Sequence, residues 1–96
     1  MKFLKNLGNF EISGTAEGSD NLLKLDEISI VAEPEVIRLL GIFFINAAYE
    51  MDMDGIEHIH LQDQIKKFSY KKYTDIIVIN KKQIIQNKNE RGRAAG

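Results

Sequence analysis

The stretch PEVIRLLGIFFINAAYEMDMDG, residues 34–55, decides the fold. Pro34 suits the first turn of a helix, where its missing N–H leaves no hydrogen bond unmade. Glu35 suits the positive end of the helix dipole. Asp54-Gly55 is a stop, because glycine takes the left-handed conformation that ends helices without strain. Between these marks Val36, Leu40, Phe43, Ala47 and Met51 recur at helical spacing, and Leu39, Phe44 and Ala48 widen the stripe. The spacing therefore predicts one long helix from Pro34 to about Met53, with that stripe toward a core. The opposite side is only partly polar. Arg38, Ile42, Ile45 and Tyr49 run along it, with Asn46, Glu50 and Asp52 nearby. A single helix on a sheet cannot bury both faces, so Ile42, Ile45 and Tyr49 are expected to meet another subunit or a partner; the alternatives are that a long loop or the tail folds over them or that they stay exposed.

Outward from the helix the period changes from helical to alternating. Phe10-Glu11-Ile12-Ser13 reads as a half-buried strand with Phe10 and Ile12 inward, closed by Gly14. Residues 17–21, EGSDN, carry turn chemistry, and Leu25 to Ala32 alternates again. The connection is short and holds no crossover helix, so these two strands are expected to be antiparallel neighbours. After Gly55, His58-Ile59-His60-Leu61 alternates as a short strand. Residues 66–73, KKFSYKKY, read as an edge strand or hairpin arm, and Ile76-Ile77-Val78-Ile79 as a central, well-covered strand. Asn80-Lys81-Lys82 is a turn candidate, with a short strand over Gln83 to Gln86. From Asn87 the sequence NKNERGRAAG has no apolar anchor and is expected to be a disordered tail. The expected fold is α+β: a mainly antiparallel four- to five-stranded sheet in the order β-β-α-β-β, one long helix packed on one face, residues 1–86 forming one domain and 87–96 the tail.

Composition narrows function. The chain has 96 residues, 44% hydrophobic and 28% charged, and no cysteine. That is one globular domain without disulfides, thiol catalysis or cysteine zinc sites. MKFLKN lacks the apolar run of a secretion signal, and the 37–49 stretch is too short to span a bilayer, so a cytoplasmic protein without membrane contact is expected. The net charge of -1 hides a polarity: residues 1–64 hold twelve acids and four bases, net -8, and residues 65–96 nine bases and two acids, net +7. The larger acidic part would repel nucleic acid and attract a basic protein surface; the alternative is that the folded strands and helices mix these charges in space, since sequence segments are not surface patches.

Three groups of residues carry elements of chemistry. His58 and His60 are two apart and so point to the same side of a strand, where paired imidazoles can hold a metal, with Glu57, Asp63 or the acidic helix end as further ligands. Two histidines alone fall short of a ligand set, and a place at a strand edge or a partner interface accounts for them equally, so no metal or cofactor is expected. A histidine base also needs a nucleophile or an oxyanion site, and none of Ser13, Ser19, Ser29 or Ser69 lies in a nucleophile context. No catalytic residue is expected. Lysines interleaved with Phe68, Tyr70 and Tyr73 are the elements of a single-strand binding surface. They also suit an edge strand guarded by lysine, and the chain as a whole is acidic, so nucleic acid is not expected as a partner.

One block carries a family likeness. It runs from Ile28-Ser29-Ile30-Val31-Ala32-Glu33-Pro34-Glu35 through the helix to Ala47-Ala48-Tyr49-Glu50-Met51. It continues through Gly55 and His58-Ile59-His60-Leu61-Gln62-Asp63 to Asp75-Ile76-Ile77-Val78. In the proline-glutamate helix start, the paired alanines, the H-x-H-L-x-D run and the late D-I-I-V strand, it resembles small bacterial immunity proteins of polymorphic-toxin and contact-dependent growth inhibition systems. Within that series it is similar to the family numbered thirty-two. The lysine-bearing segment between His60 and Asp75 departs from the more compact family pattern. The resemblance implies a protein that binds one toxin tightly, usually a nuclease domain, and does no chemistry itself. The cleft of such a toxin is basic, so an inhibitor that blocks it offers carboxylates. The expected partner-binding residues are Ile42, Ile45, Tyr49, Glu50, Asp52, Asp54, Glu57, His58, His60 and Asp63. A small non-catalytic homodimer that buries the outer helix face is the alternative.

Overall fold

The computed structural model describes Leu4 and residues 6–84. The element order is β1 (Ile12–Gly14), β2 (Leu23–Leu25), α1 (Pro34–Asp54), β3 (His58–His60), a 3-10 turn (Leu61–Gln64) and β4 (Ile77–Ile79). The chain divides into two compact units, Met1–Val31 and Ala32–Gly96. The α+β class holds broadly, but the expected four- to five-stranded sheet does not form. β1 pairs with β2 and β3 with β4, giving two separate two-stranded sheets.

In the first unit the expected antiparallel pairing is present, with Ile12 opposite Leu25 and Gly14 opposite Leu23. The strands are shorter than the alternation suggests. Continued by one residue, this register would set Glu11 opposite Asp26, and like charges directly opposite destabilise a ladder. The pairing stops there. The stretch from Asp26 to Ala32, expected to be strand, has no ladder. Phe10, expected inward, is 67% exposed, and Ile28 and Ile30 are exposed as well.

The second unit holds the helix. α1 starts at Pro34 and stops at Gly55, as the sequence predicts. Gly55 has φ 63, and its N–H donates to the Met51 carbonyl, closing the last turn. The expected core stripe is only partly buried. Phe43 and Ala47 are the buried hydrophobic residues among those described. Leu40 and Met51 are half-buried, while Val36, Leu39, Phe44 and Ala48 are exposed. The dimensions explain it: a helix of 21 residues is about 31 Å long. A pair of three-residue strands is only about 10 Å in either direction.

β4, expected to be central, is one strand of a two-stranded ladder, and Ile77 and Ile79 are exposed. Side chains and loop backbone extend this ladder at both ends. The Leu61 N–H donates to the Ile76 carbonyl at 2.8 Å, and the Gln62 N–H to Asp75 Oδ1 at 2.9 Å. At the other end the Asn80 N–H donates to the Glu57 carbonyl at 2.7 Å, and Asn80 Nδ2 to the Ile56 carbonyl at 3.1 Å.

Residues 66–73 form turns instead of an edge strand. Their rings meet one another: Phe68 lies edge-on to Tyr70 at 4.9 Å and stacked on Tyr73 at 5.7 Å. Residues 81–84 are helical where a turn and a strand were expected. Asn80 is the reason, because its Oδ1 accepts the Lys82 N–H as a helix cap does. Gln86 and the expected tail, 87–96, lie outside the described residues.

Gly55 gives the first prediction. A Cβ there would sit 3.3 Å from Gln83 Nε2 on a left-handed backbone. Gly55→Ala should therefore destabilise the second unit by about 1–2 kcal/mol, read as a lower midpoint in urea unfolding.

Candidate protein-binding surface

The expected partner-binding residues fall into two groups. The first lies along the outer side of α1. Ile42, Ile45 and Tyr49 are 48%, 70% and 65% exposed, on the side of the helix away from Phe43 and Ala47. At 100° per residue Arg38 and Asp52 continue the same line. Glu50 and Asp54 fall about the helix toward the Phe43 side, exposed because they sit near its end. No basic residue lies in the last turn. Three carboxylates therefore stand at the negative end of the helix dipole, an arrangement unfavourable to the chain by itself.

The second group belongs to the β3–β4 hairpin. His58 and His60 share one side of β3, as their spacing predicts, with ring centroids 5.3 Å apart and edge to face. His60 Nδ1 lies 3.1 Å from Asp75 Oδ2, the His60 side chain 31% exposed and that of Asp75 11%. Because the other carboxylate oxygen accepts the Gln62 N–H, one aspartate both orients the imidazole and prolongs the ladder. Sequence reasoning missed this role and looked to Asp63, three residues from His60. The ladder register held the signal: with His60 opposite Ile77, Asp75 comes opposite Gln62. Asp63 instead lies exposed in the 3-10 turn, and Glu57 is exposed just before β3.

The chemistry open to the His60–Asp75 pair is limited by its neighbours. Ser69 Oγ accepts the Lys71 N–H within its own turn, and Ser19 Oγ accepts the Asn21 N–H in the other unit. Among the described residues no three histidine, cysteine or carboxylate side chains are grouped to hold a metal ion. The pair acts as a structural clamp. Tyr70 Oη extends it by donating to Gln62 Oε1 at 3.0 Å, which ties the 65–74 segment to the hairpin.

An open depression of about 460 Å³ lies between the end of α1 and the turn that follows β4, with Met51, Asp52, Gly55, Lys81 and Lys82 among its walls. Its mixed charge and openness suit a surface groove better than an enclosed ligand site. No helix among the described residues is long and apolar enough to cross a membrane. Compared with protein-family models, curated proteins and solved structures, the chain matches none.

The clamp can be separated from the surface by mutation. Asp75→Ala strands the Gln62 N–H and should cost about 1–2 kcal/mol, with faster hydrogen exchange at Gln62. His58→Ala, at an exposed position, should change stability by less than about 0.5 kcal/mol.

Proposed function

We propose that the chain is a non-catalytic binding protein of the immunity class: it captures a cognate antibacterial toxin with a basic nuclease domain, in the cytoplasm, and neutralises it by electrostatic and steric occlusion. The observation that carries the reading is the C-terminal half of α1, where exposed Ile45 and Tyr49 lead into Glu50, Asp52 and Asp54 with no base in the last turn. An apolar contact with Asp52 on the same side and Glu50 and Asp54 round the helix end, none of the three paired among the described residues, is the composition of a site for a basic protein. The apolar part contributes affinity, and the charges speed encounter and reject wrong partners. The dipole argument adds to this. A basic partner would relieve the repulsion between these carboxylates and the helix end, so binding would gain what the free chain lacks. The likeness of the 28–78 block to immunity proteins supports the same reading, and the acidic balance of residues 1–64 fits it. No cofactor and no metal enters this function, and no residue is assigned to catalysis.

The direct test is protection. Cells that express a basic nuclease toxin domain, sought first in the neighbouring gene, should survive when the chain is co-expressed, and the purified pair should bind by calorimetry. No protection and no binding would contradict the reading. The electrostatic part is checked separately. Glu50→Gln with Asp54→Asn should slow capture about tenfold at low salt and flatten the salt dependence of the association rate in stopped flow.

A further inference from the structure

We infer that the outer side of α1 is a self-complementary seam that binds a second copy of this chain, the two helices running antiparallel about Ile45. The inference concerns the chain alone and does not rest on the toxin reading.

Arg38, Ile42, Ile45, Tyr49 and Asp52 are spaced four, three, four and three apart, the 3.5-residue period of a helix–helix seam. All five are exposed. Arg38 and Asp52 make no ion pair or hydrogen bond among the described residues. On one edge of the same line stand the small residues Gly41 and Ala48. Gly41 is the telling one. A glycine in mid-helix weakens the helix relative to alanine. Nothing among the described residues requires it, because a Cβ at Gly41 would meet none of their atoms within 4 Å. The remaining physical use of a bare backbone on an outer helix face is close approach by something from outside.

A twofold axis at Ile45 identifies the visitor. In the antiparallel arrangement Ile45 meets Ile45, Tyr49 of one copy lies over Gly41 of the other, Ile42 faces Ala48, and Arg38 faces Asp52. Every pairing but Ile45–Ile45, which sits on the axis, occurs twice, as an isologous contact demands. Large side chains fall opposite small ones, and the two opposite charges stand seven residues either side of the centre. A parallel pairing would set Arg38 against Arg38 and Tyr49 against Tyr49, so the pattern selects the antiparallel form. The charge pattern is complementary to itself, which an unrelated partner would not require. The seam is about 21 Å long, which places it at the small end of the interface range.

Sedimentation equilibrium of the intact chain over an about 100-fold dilution series tests this. The wild type should shift between monomer and dimer. Arg38→Asp and Asp52→Arg alone should each weaken the dimer roughly tenfold, since two pairs become repulsive. The double variant should recover wild-type association. Gly41→Leu should weaken association about tenfold or more while helical circular dichroism holds or rises. Ile45→Asp should abolish association by placing two carboxylates on the axis. A wild type that stays monomeric overturns the inference, as does a dimer indifferent to the charge reversals or not rescued by the double variant. A monomeric chain that still binds the toxin would remove this seam and leave the proposed function standing. A dimer that binds no toxin would do the reverse.

Discussion

The structure turns on an excess of apolar surface over the means to cover it. α1 is 21 residues long, and Phe43 and Ala47 are the hydrophobic residues the described chain buries. Most helical stability in proteins comes from packing one apolar face. Here Ile42, Ile45 and Tyr49 add a second face that the same packing cannot reach. The small sheets cannot make up the difference, because a two-stranded hairpin is marginal by itself in water. Each large apolar side chain left exposed forgoes roughly 1.5–3 kcal/mol relative to full burial. A second copy on the outer seam removes that surface from water, and a basic partner drawn to the acidic end of the helix would compete with it for Ile45 and Tyr49.

The second unit spends its polar groups on fixing where α1 ends. β3 and β4 pair over three residues each. Asp75 and Asn80 then extend the ladder at its two ends with side-chain and backbone hydrogen bonds. Asn80 also starts the helical turn at 81–84, and that turn brings Gln83 beside Gly55. The left-handed glycine therefore couples the helix stop to the hairpin. Through this chain of contacts Glu50, Asp52 and Asp54 are presented on a defined end instead of a fraying one.

The helix was legible in the sequence because its signals are local. Pro34, Gly55 and the helical period need no knowledge of the rest of the chain, and they set both its limits and the exposed side that carries Ile45. The strands were less legible because alternation assigns a face but no partner. The limit of β1–β2 at Ile12 and Leu25 follows from the Glu11–Asp26 opposition, which exists only once the register is known. Asp75 as the His60 partner has the same origin: in sequence Asp63 is nearer, and only the His60–Ile77 pairing brings Asp75 across. Asn80 reads equally as a turn residue or a helix cap, and its Oδ1 bond to the Lys82 N–H decides the matter. Isoleucines 76, 77 and 79 suggest a covered central strand, yet β4 has a single neighbour among the described residues, since apolar character on both sides records what a strand needs and not which strands will flank it.

The central claim is that α1 obtains its missing burial from a second copy. Thermal unfolding followed by helical circular dichroism, repeated over an about 100-fold range of protein concentration, tests it most directly, because a folded state that depends on association melts later when the chain is more concentrated. The account predicts a midpoint that climbs steadily with concentration. A midpoint that stays constant across the range would mean that the chain is stable alone and that the outer seam of α1 contributes nothing to its fold.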